Sequence, residues 1–250
     1  MPNRIVSLAP SATATLTALG VDDRVVGVTA HCDLDRPVVG GWLNPDYDRL
    51  ADLAPDLVYT SDSLQEEIRD ELRDRGYAIY HHEPSRLDDV LAGFESLAEA
   101  AGCPEAGVDL RADAEERLAA VDERVDRALD AGHERPIVYC EEWSDPPMAA
   151  GNWVPDAVVA AGGRYPFVDP GDRSQAVDYE TVADAAPDHA VLHICGTGDQ
   201  VPASRLADRG WELEASVHVV DDSLINQPSP RLIDGIELLA ERFYPETVEE

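Results

Sequence analysis

Residues 108–131 read VDLRADAEERLAAVDERVDRALDA, and this stretch does most to decide the fold. Its apolar residues recur every three or four positions among many charges, which predicts one amphipathic helix of roughly 24 residues. These apolar residues are Leu110, Ala114, Leu118, Val121, Val125 and Leu129. Such a helix is long for a globular protein, where about 10–14 residues are usual. It either packs on the surface of a sheet or bridges two lobes.

Short apolar strands alternate with helices on both sides of this stretch, which indicates parallel sheets covered by helices. Before it, strands are predicted at 5–8, 25–28, 57–59 and 78–80, with helices at 12–19, 66–75 and 87–101. After it, strands are predicted at 137–139, 190–194 and 217–220, with helices at 153–161, 180–185, 202–208 and 233–243. The sequence therefore favours two Rossmann-like α/β lobes, residues 1–105 and 134–250, joined by a single long helix at 106–133.

The charge balance is strongly acidic and excludes some partners. There are 51 acidic residues against 19 basic ones, all of them Arg, for a formal net charge of -32. Such a surface repels nucleic acid and anionic membranes, so we expect neither as a partner. The acidic residues are spread from Asp22 to Glu250, which favours adaptation to high salt (a halophilic source) over an acidic patch for a cationic partner. At molar salt the Debye length is about 3 Å, so this self-repulsion would be largely screened.

The cysteines and the N-terminal residues bear on the compartment. The four cysteines are too few and too scattered to predict a disulfide framework. The sequence begins Met-Pro-Asn-Arg and enters an apolar strand directly, without the features of an export signal or a lipid-attachment cysteine. No apolar run approaches the roughly 20 residues that span a bilayer. We therefore expect a cytoplasmic protein, or an extracytoplasmic one if a signal has been removed.

The loops that follow the predicted strands are where a ligand site is expected, since ligands of open parallel sheets bind beyond the carboxyl ends of the strands. These loops include 30–33, 40–45, 60–63, 140–148 and 151–153. Three of the four tryptophans, Trp42, Trp143 and Trp153, lie in them or at their edges. Any one of the three could belong to a core, but together they suggest flat apolar platforms for a ligand.

Five segments, in matching order along nearly the whole chain, resemble periplasmic cobalamin-binding proteins, members of the class III substrate-binding proteins of ABC importers. They are IVSLAPSATATLTALG at 5–20, VVGVT at 25–29, GGWLNPDYDRL at 40–50 leading to LAPDLVY at 53–59, DPPMAAGNWVPDAVVAAGG at 145–163, and PSPRLIDGIELLAERF at 228–243. The resemblance implies two α/β lobes joined by one long helix, with a ligand cleft between the lobes. It also implies non-catalytic binding of cobalamin or a related corrinoid, with no enzyme cofactor.

The same resemblance implies a set of ligand-binding residues by position. From the first lobe they are Cys32, Trp42 and Ser61, and from the second Met148, Ser174, Ser229 and Arg231. Four of these positions carry no ring where the cobalamin binders have one, which leaves room for another corrinoid, a precursor, a haem-like tetrapyrrole or a siderophore complex. Trp143 and Trp153 are candidate replacement platforms, with Asn152 beside them, and His31 is a candidate axial ligand for a chelated metal.

Arg231 follows Ser-Pro at the predicted start of the last helix. Its guanidinium could reach amide or phosphate edges of a ligand there, or it could form a surface ion pair. The family also docks on its transporter through one acidic residue of each lobe, and Asp48 and Glu180 fall at those positions. An ABC transporter permease is therefore a candidate partner, although a cytoplasmic member would act as an intracellular carrier instead.

A cytoplasmic metal-binding protein or a Cys-dependent enzyme on the same fold is the alternative function. Histidine, cysteine and carboxylate side chains follow several predicted strands and could bind a transition metal, although no C-x-x-C pair supports this. Cys140 could act as a nucleophile with His193 as base and Glu142 as the residue that orients it. Residues 196–199, Gly-Thr-Gly-Asp, could cradle an anion at the end of another strand.

Overall fold

Residues 1–245 are described by the computed structural model, and they divide into two units, each with its own sheet. Unit 1 contains Met1–Pro84 and Asp88–Ala114. Unit 2 contains Ser85–Leu87 and the described residues from Glu115 onward. Each unit combines strands and helices, so the prediction of two α/β lobes is confirmed. The division of the chain at residues 105 and 133 stays a prediction.

Unit 1 is built on strands β1 (Ile5–Ser7), β2 (Val25–Val28), β3 (Leu57–Ser61) and β4 (Ile79–His82). Its helices are α1 (Pro10–Ala18), α2 (Tyr47–Asp52), α3 (Glu66–Asp74) and, except for its first residue, α4 (Leu87–Ala101). Within the described residues the strands form one parallel sheet in the order β2-β1-β3-β4. The predicted strands agree with these bounds to within about two residues, whereas α2 was missed because it spans less than two turns.

The sheet of unit 1 is covered on both faces, and this explains why its strands read as continuous apolar runs. Ile5 and Tyr59 pack in one core cluster with α1 and α4, while Val6 and Val58 pack in a second cluster with Leu72 of α3. Successive residues of a strand point to opposite faces, so each strand feeds both clusters. Only the ends of the strands are left to carry polar side chains.

Helix α5 (Pro104–Asp130) is the long helix that the sequence predicted, and it has 27 residues. It begins four residues before the predicted start because Pro104 stands at its first position, where the fixed φ of proline favours a helix. Gly102, with φ +77, makes the turn that separates α5 from α4. The predicted apolar stripe is the buried face, since Ala114, Val121 and Val125 are buried. At 1.5 Å per residue the helix is about 40 Å long.

Unit 2 is built on strands β5 (Val138–Ser144), β6 (Pro147–Ala149), β7 (Gln175–Ala176), β8 (His189–Leu192) and β9 (Ser216–Val219). Its further helices are α6 (Val154–Ala160), α7 (Tyr179–Ala185), α8 (Arg205–Asp208) and α9 (Arg231–Phe243). In the part of the chain that the structure describes, its strands form one sheet in the order β7-β6-β5-β8-β9. Strands β5, β8 and β9 are parallel, while β6 and β7 run antiparallel.

The antiparallel edge of this sheet corrects the sequence analysis, which treated residues 140–148 as a loop on a parallel sheet. Strand β5 instead continues to Ser144, and β6 returns beside it with Met148 opposite Trp143. The prediction failed because Glu141, at the centre of β5, is charged and nevertheless fully buried. A buried carboxylate needs a partner that is distant in sequence, and a strand pattern does not reveal it.

Two polar contacts join helices of unit 2 to neighbouring segments. The indole N–H of Trp153, just before α6, donates to the carbonyl oxygen of Ile225 at 2.9 Å. Arg117 of α5 donates from Nε to Glu237 at 2.8 Å and from Nη2 to Asp234 at 2.6 Å, which ties α5 to α9. Helix α9 therefore has a polar attachment to α5 on one side and an apolar face on the other.

We predict that Gly107→Val destabilises the protein by roughly 2 kcal/mol, because overpacking a close helix contact costs about 1–3 kcal/mol. A Cβ at Gly107 would lie 2.5 Å from the Cβ of Ala98 and 3.0 Å from the carbonyl oxygen of Phe94, both on α4. Urea unfolding at fixed salt measures the change. Val108→Ala, at the exposed next position, is the control, and an equal effect of the two variants would contradict this account.

Candidate functional site

The carboxyl ends of β1 and β2 in unit 1 carry a polar cluster around a thiol. The side-chain oxygen of Thr13 lies 2.8 Å from the Ser7 hydroxyl and 3.1 Å from Cys32 Sγ. Thr29 Oγ1 lies 3.2 Å from the same sulfur. The predicted residue Cys32 is therefore half-buried and held by hydroxyl groups at the strand-end edge. His31, next to it, is exposed.

Apolar side chains stand exposed in the segments that follow β2 and β3. Trp42 is partly buried, whereas Leu43 and Leu64 are 50% and 56% exposed. Both leucines were overlooked in the sequence, since a single apolar residue in a loop carries no pattern. Exposed apolar residues at a strand-end edge offer contact area to a ligand with an apolar face.

The amide of Gln65 joins these loops. No sequence pattern pointed to this residue, because it lies at the junction between a predicted loop and the predicted helix 66–75. The side chain is fully buried. It contacts the backbone of Ser61, Leu8 and Trp42 at 2.8, 2.9 and 2.6 Å. The three contacts lie at the ends of β3 and β1 and in the loop after β2.

Ser61 was predicted to contact the ligand, and the structure corrects this. Its side chain is only 5% exposed, and its hydroxyl donates to the carbonyl oxygen of His82 at 2.9 Å across β3 and β4. The next residue, Asp62, has φ +72, which turns the chain away from the strand direction. Ser61 therefore closes the sheet edge and offers little surface of its own.

In unit 2 the β5–β6 hairpin carries two of the predicted residues side by side. Trp143 is 47% exposed and faces Met148, its partly buried cross-strand partner. The indole N–H of Trp143 donates to the carbonyl oxygen of Asp145 at 2.9 Å, which fixes the ring on the hairpin. An exposed indole beside a thioether forms an apolar platform.

A buried ion pair is formed by a residue of this hairpin, Glu141 of β5. Glu141 is fully buried and accepts hydrogen bonds from the Tyr139 hydroxyl and the Ser144 hydroxyl, each at 2.7 Å. Arg209 donates to both oxygens of Glu141 through its two terminal nitrogens. The guanidinium of Arg209 also stacks over the ring of Trp211 at 3.8 Å. Because both charges and both hydroxyls are engaged, β5 is held rigid up to the residue after Trp143.

Two predicted ligand contacts belong to the core of unit 2. Trp153 is 6% exposed and its polar edge is used by Ile225, so it is not a platform for a ligand. Ser229 is fully buried, and its hydroxyl accepts from the backbone N–H of Arg231 at 3.3 Å. The sequence placed both in loops, where it could not distinguish a tryptophan that caps the core from one that faces solvent.

Asn152 and Ser174 lie on two segments of unit 2 that are hydrogen-bonded to each other. Asn152 has φ +52, and its carbonyl oxygen accepts from the N–H of Gly171 at 3.0 Å. Ser174 Oγ accepts from the N–H of Gly151 at 3.0 Å. A Cβ at Gly151 would lie 2.3 Å from the carbonyl oxygen of Asp172, so the two segments approach too closely for any other residue.

Arg231 is partly buried at the first residue of α9. The hydrogen bond from the Ser223 hydroxyl lowers the pKa of Asp221, and the nearby guanidinium of Arg231 lowers it further. The electrostatic neighbour of Arg231 is therefore an ionised carboxylate. A guanidinium has five N–H donors, so Arg231 can donate to an acceptor on a ligand.

The geometry does not support the enzyme hypothesis. Cys140 is fully buried, and burial raises the pKa of its thiol well above the usual range, which removes the thiolate that a nucleophile needs. His193 is fully buried and bonded through Nδ1 to the side-chain oxygen of Asn226. The same amide donates to the sulfur of Cys195 at 3.2 Å. Within residues 1–245, no group of three or more His, Cys, Asp or Glu side chains is arranged to hold a metal ion.

The turn at residues 196–199 is not open to an external anion, which corrects a further expectation. The carboxylate of Asp222 accepts from the N–H of Gly196 at 2.9 Å and from the N–H of Gly198 at 2.8 Å. The backbone donors that would bind a phosphate are thus already used by a side chain of the same unit.

Comparison with known proteins gives the family context. The sequence profile of the family described as Periplasmic binding protein matches residues 5–216. The chain is 29% identical to an ABC transporter substrate-binding lipoprotein of Bacillus subtilis, over 100% of this chain and 82% of that protein. It is 26% identical to a vitamin B12-binding protein of Vibrio cholerae, over 94% and 86%. A cobalamin-binding protein of Halobacterium salinarum is 25% identical over 99% of this chain and 71% of its own length.

Solved structures share the fold. A periplasmic haem-binding protein from Pseudomonas aeruginosa superposes with a TM-score of 0.85 at 21% identity, covering 99% of this chain and 94% of that one. The periplasmic vitamin B12 binding protein of Vibrio cholerae superposes with a TM-score of 0.76 at 22% identity, covering 97% and 96%. Family and relatives are non-catalytic substrate-binding proteins that carry a ligand rather than an enzyme cofactor, so the predicted lack of catalysis is confirmed.

The expectation of a cytoplasmic protein is wrong. The relatives are lipoproteins or periplasmic proteins, which points to a site of action outside the cytoplasm. The expectation rested on the first eight residues of the sequence, of which Ile5–Ser7 form β1. None of the helices within residues 1–245 has both the length and the apolarity to cross a bilayer.

We predict that His193 makes the protein less stable in acid. Burial lowers the pKa of His193 to about 4, although Asn226, Asp222 and Glu141 each act to raise it. In the unfolded chain its pKa is about 6.5, so between these values the unfolded state binds more protons and stability falls as the pH falls. The loss from this group between pH 7.5 and pH 5 is about 2 kcal/mol.

Urea unfolding of the protein and of His193→Gln across this pH range measures the effect as a difference in slope. His133→Gln, at an exposed histidine of the same unit, is the matched control. Equal pH slopes for the protein and His193→Gln would contradict the prediction.

Proposed function

The chain belongs to the periplasmic binding protein family, and from this premise we propose that it binds a corrinoid of the cobalamin type for an ABC importer. The observation that carries the proposal is the pair of apolar surfaces at the strand-end edges. Unit 1 presents Trp42, Leu43 and Leu64, and unit 2 presents Trp143 with Met148. A macrocycle that chelates a metal has two broad apolar faces, which such surfaces suit.

Polar side chains are the proposed contacts for the rim of the ligand. A corrin carries amide side chains around its ring, and amides accept hydrogen bonds from guanidinium groups. Arg231, at the first residue of α9, is the proposed donor to such an amide. His31 and Cys32 are the proposed groups nearest the chelated metal, with His31 as the candidate axial imidazole. In this arrangement the ligand is held without reaction.

Haem is the second candidate ligand. Solved haem-binding proteins share the fold at 21% and 22% identity, and the solved vitamin B12 binding protein does so at 22%. Relatives found by sequence at 25% and 26% identity are named for cobalamin or vitamin B12. The sequence relationship therefore favours a corrinoid. We also propose that the acidic, lysine-free surface is adapted to high salt, because its carboxylates are spread along the chain and molar salt would screen their repulsion.

The test is titration of the purified protein with cyanocobalamin, cobinamide and haemin in molar salt, followed by tryptophan fluorescence and ligand absorbance. We expect saturable binding of one corrinoid per chain. Trp42→Ala and Trp143→Ala should each weaken binding about tenfold or more, since aromatic contacts dominate such surfaces. Val159→Ala, an exposed apolar residue on α6, is the control and should bind normally.

Tight binding of haemin alone would replace the corrinoid by haem. Failure of all three ligands to bind would reject the tetrapyrrole assignment.

We also propose that Asp48 and Glu180 dock the protein on its transporter. Each is exposed in the first turn of a short helix, Asp48 in α2 and Glu180 in α7. An aspartate caps the N-terminus of each helix. A carboxylate at a helix N-terminus is stabilised by the helix dipole and points outward. The two positions therefore present one fixed negative charge on each unit, suited to an arginine of a permease.

We expect Asp48→Arg and Glu180→Arg to lower ligand uptake at least about tenfold in cells that carry the cognate transporter, since like charges at a docking contact cost several kcal/mol. Ligand affinity in solution should not change. Asp52→Arg and Asp184→Arg alter the same charge on the same two helices and are the controls. Equal loss of uptake in the control variants would show that net charge, and not these two positions, matters.

A further inference from the structure

Gln65 is a polar side chain enclosed in the interior of unit 1, and both its amide nitrogen and its amide oxygen bond to the backbone. Its exposure is zero. Its Oε1 accepts from the N–H of Ser61 at 2.8 Å. Its Nε2 donates to the carbonyl oxygen of Leu8 at 2.9 Å and to that of Trp42 at 2.6 Å. A primary amide has two N–H donors, so both are used.

The three backbone partners come from separate parts of the chain. Leu8 directly follows β1 and Ser61 is the last residue of β3, so Gln65 spans the carboxyl ends of two neighbouring strands. Trp42 lies in the loop that leads from β2 to α2. One side chain thus joins the sheet edge to the loop that carries the aromatic residue of the proposed site.

The base of the loop around Trp42 is tied to the segment after β2, since the N–H of Ala30 donates to the carbonyl oxygen of Gly40 at 3.0 Å, whereas the bonds of its tip lie within the loop. Gly41 and Asn44 bond to each other through their backbones at 3.2 and 3.4 Å, and Gly40 pairs with Pro45 in an isolated bridge. These bonds give the loop a shape but do not attach its tip to the sheet. The bond from Gln65 to the carbonyl oxygen of Trp42 supplies that attachment.

We infer that Gln65 is a positioning residue that fixes Trp42 and Leu43 beside Leu64 before any ligand arrives. Leu64 is the immediate neighbour of Gln65 in the chain, so the same amide sets the place of both exposed leucines. This inference rests on the proposed function only for the identity of the ligand. A preformed apolar surface binds more tightly because no ordering of the loop is needed on binding.

Two substitutions of Gln65 distinguish the effect of its hydrogen bonds from the effect of its side-chain volume. Gln65→Glu keeps the shape and the acceptor for Ser61, but it sets a carboxylate against the carbonyl oxygens of Leu8 and Trp42. Gln65→Met keeps the approximate volume and removes all three bonds without adding a charge. Thr15→Val is the matched control, because Thr15 is a buried polar residue of the same unit whose hydroxyl bonds only within α1.

Hydrogen exchange of the ligand-free protein tests the inference directly. In Gln65→Met we expect amides of residues 40–46 to exchange about tenfold faster or more, since loss of a buried bond releases the loop. Apart from Ser61, whose N–H loses its acceptor, amides of β1 and β3 should stay within about twofold of the unaltered protein, as they should in Thr15→Val. Unchanged exchange at 40–46, or equal acceleration throughout unit 1, would overturn the inference.

Binding affinity is measured with cyanocobalamin and haemin as probes. Gln65→Met should weaken binding of whichever probe the unaltered protein binds by about tenfold, and Gln65→Glu by more. If the unaltered protein binds neither probe, the proposed function fails while the exchange result still decides the role of Gln65. If Gln65→Glu does not fold, Gln65→Met carries both measurements. Normal affinity in a Gln65→Met protein with a released loop would show that the loop does not position the ligand.

Discussion

A sheet that is covered by helices on both faces can present functional side chains only where its strands end, and this constraint organises both units. The interior of each strand is committed to packing, as Ile5 and Val6 are on opposite faces of β1. The loops after the strands are free to vary without disturbing a core. The thiol cluster around Cys32, the exposed leucines and the Trp143 platform all lie at such ends.

Buried polar groups below these edges are the second recurring feature. Removing a charged pair or an amide from water costs free energy that hydrogen bonds only partly return, so such groups add little stability compared with apolar packing. The Glu141–Arg209 pair lies near the exposed Trp143, and the Gln65 amide bonds to the backbone of the partly buried Trp42. Their value is in fixing backbone geometry, which apolar contacts of similar volume do with less precision.

The sequence predicted the fold well because periodicity is a local property. The stripe of α5 and the apolar runs of β1 and β3 are each visible within a few residues, and helix α5 needed only Pro104 to correct its start. The hairpin at β6 was missed, since it depends on a buried Glu141 whose partner Arg209 is 68 residues away. Burial of Trp153 was missed for the same reason: its acceptor, Ile225, is distant in the chain. The position of Trp143 in the sequence resembled that of Trp153, and only tertiary contacts separate the two.

The carboxylate of Asp222 lies in a ring of backbone donors formed by Gly196 and Gly198. A vacant ring of this kind would attract phosphate or sulfate from the surroundings. Here a covalently attached group competes for the same donors and needs no dissolved partner, so its occupancy does not depend on the concentration of ions outside. The segment after β8 is therefore held by a bond within the unit, and these two backbone donors are not offered to small inorganic anions.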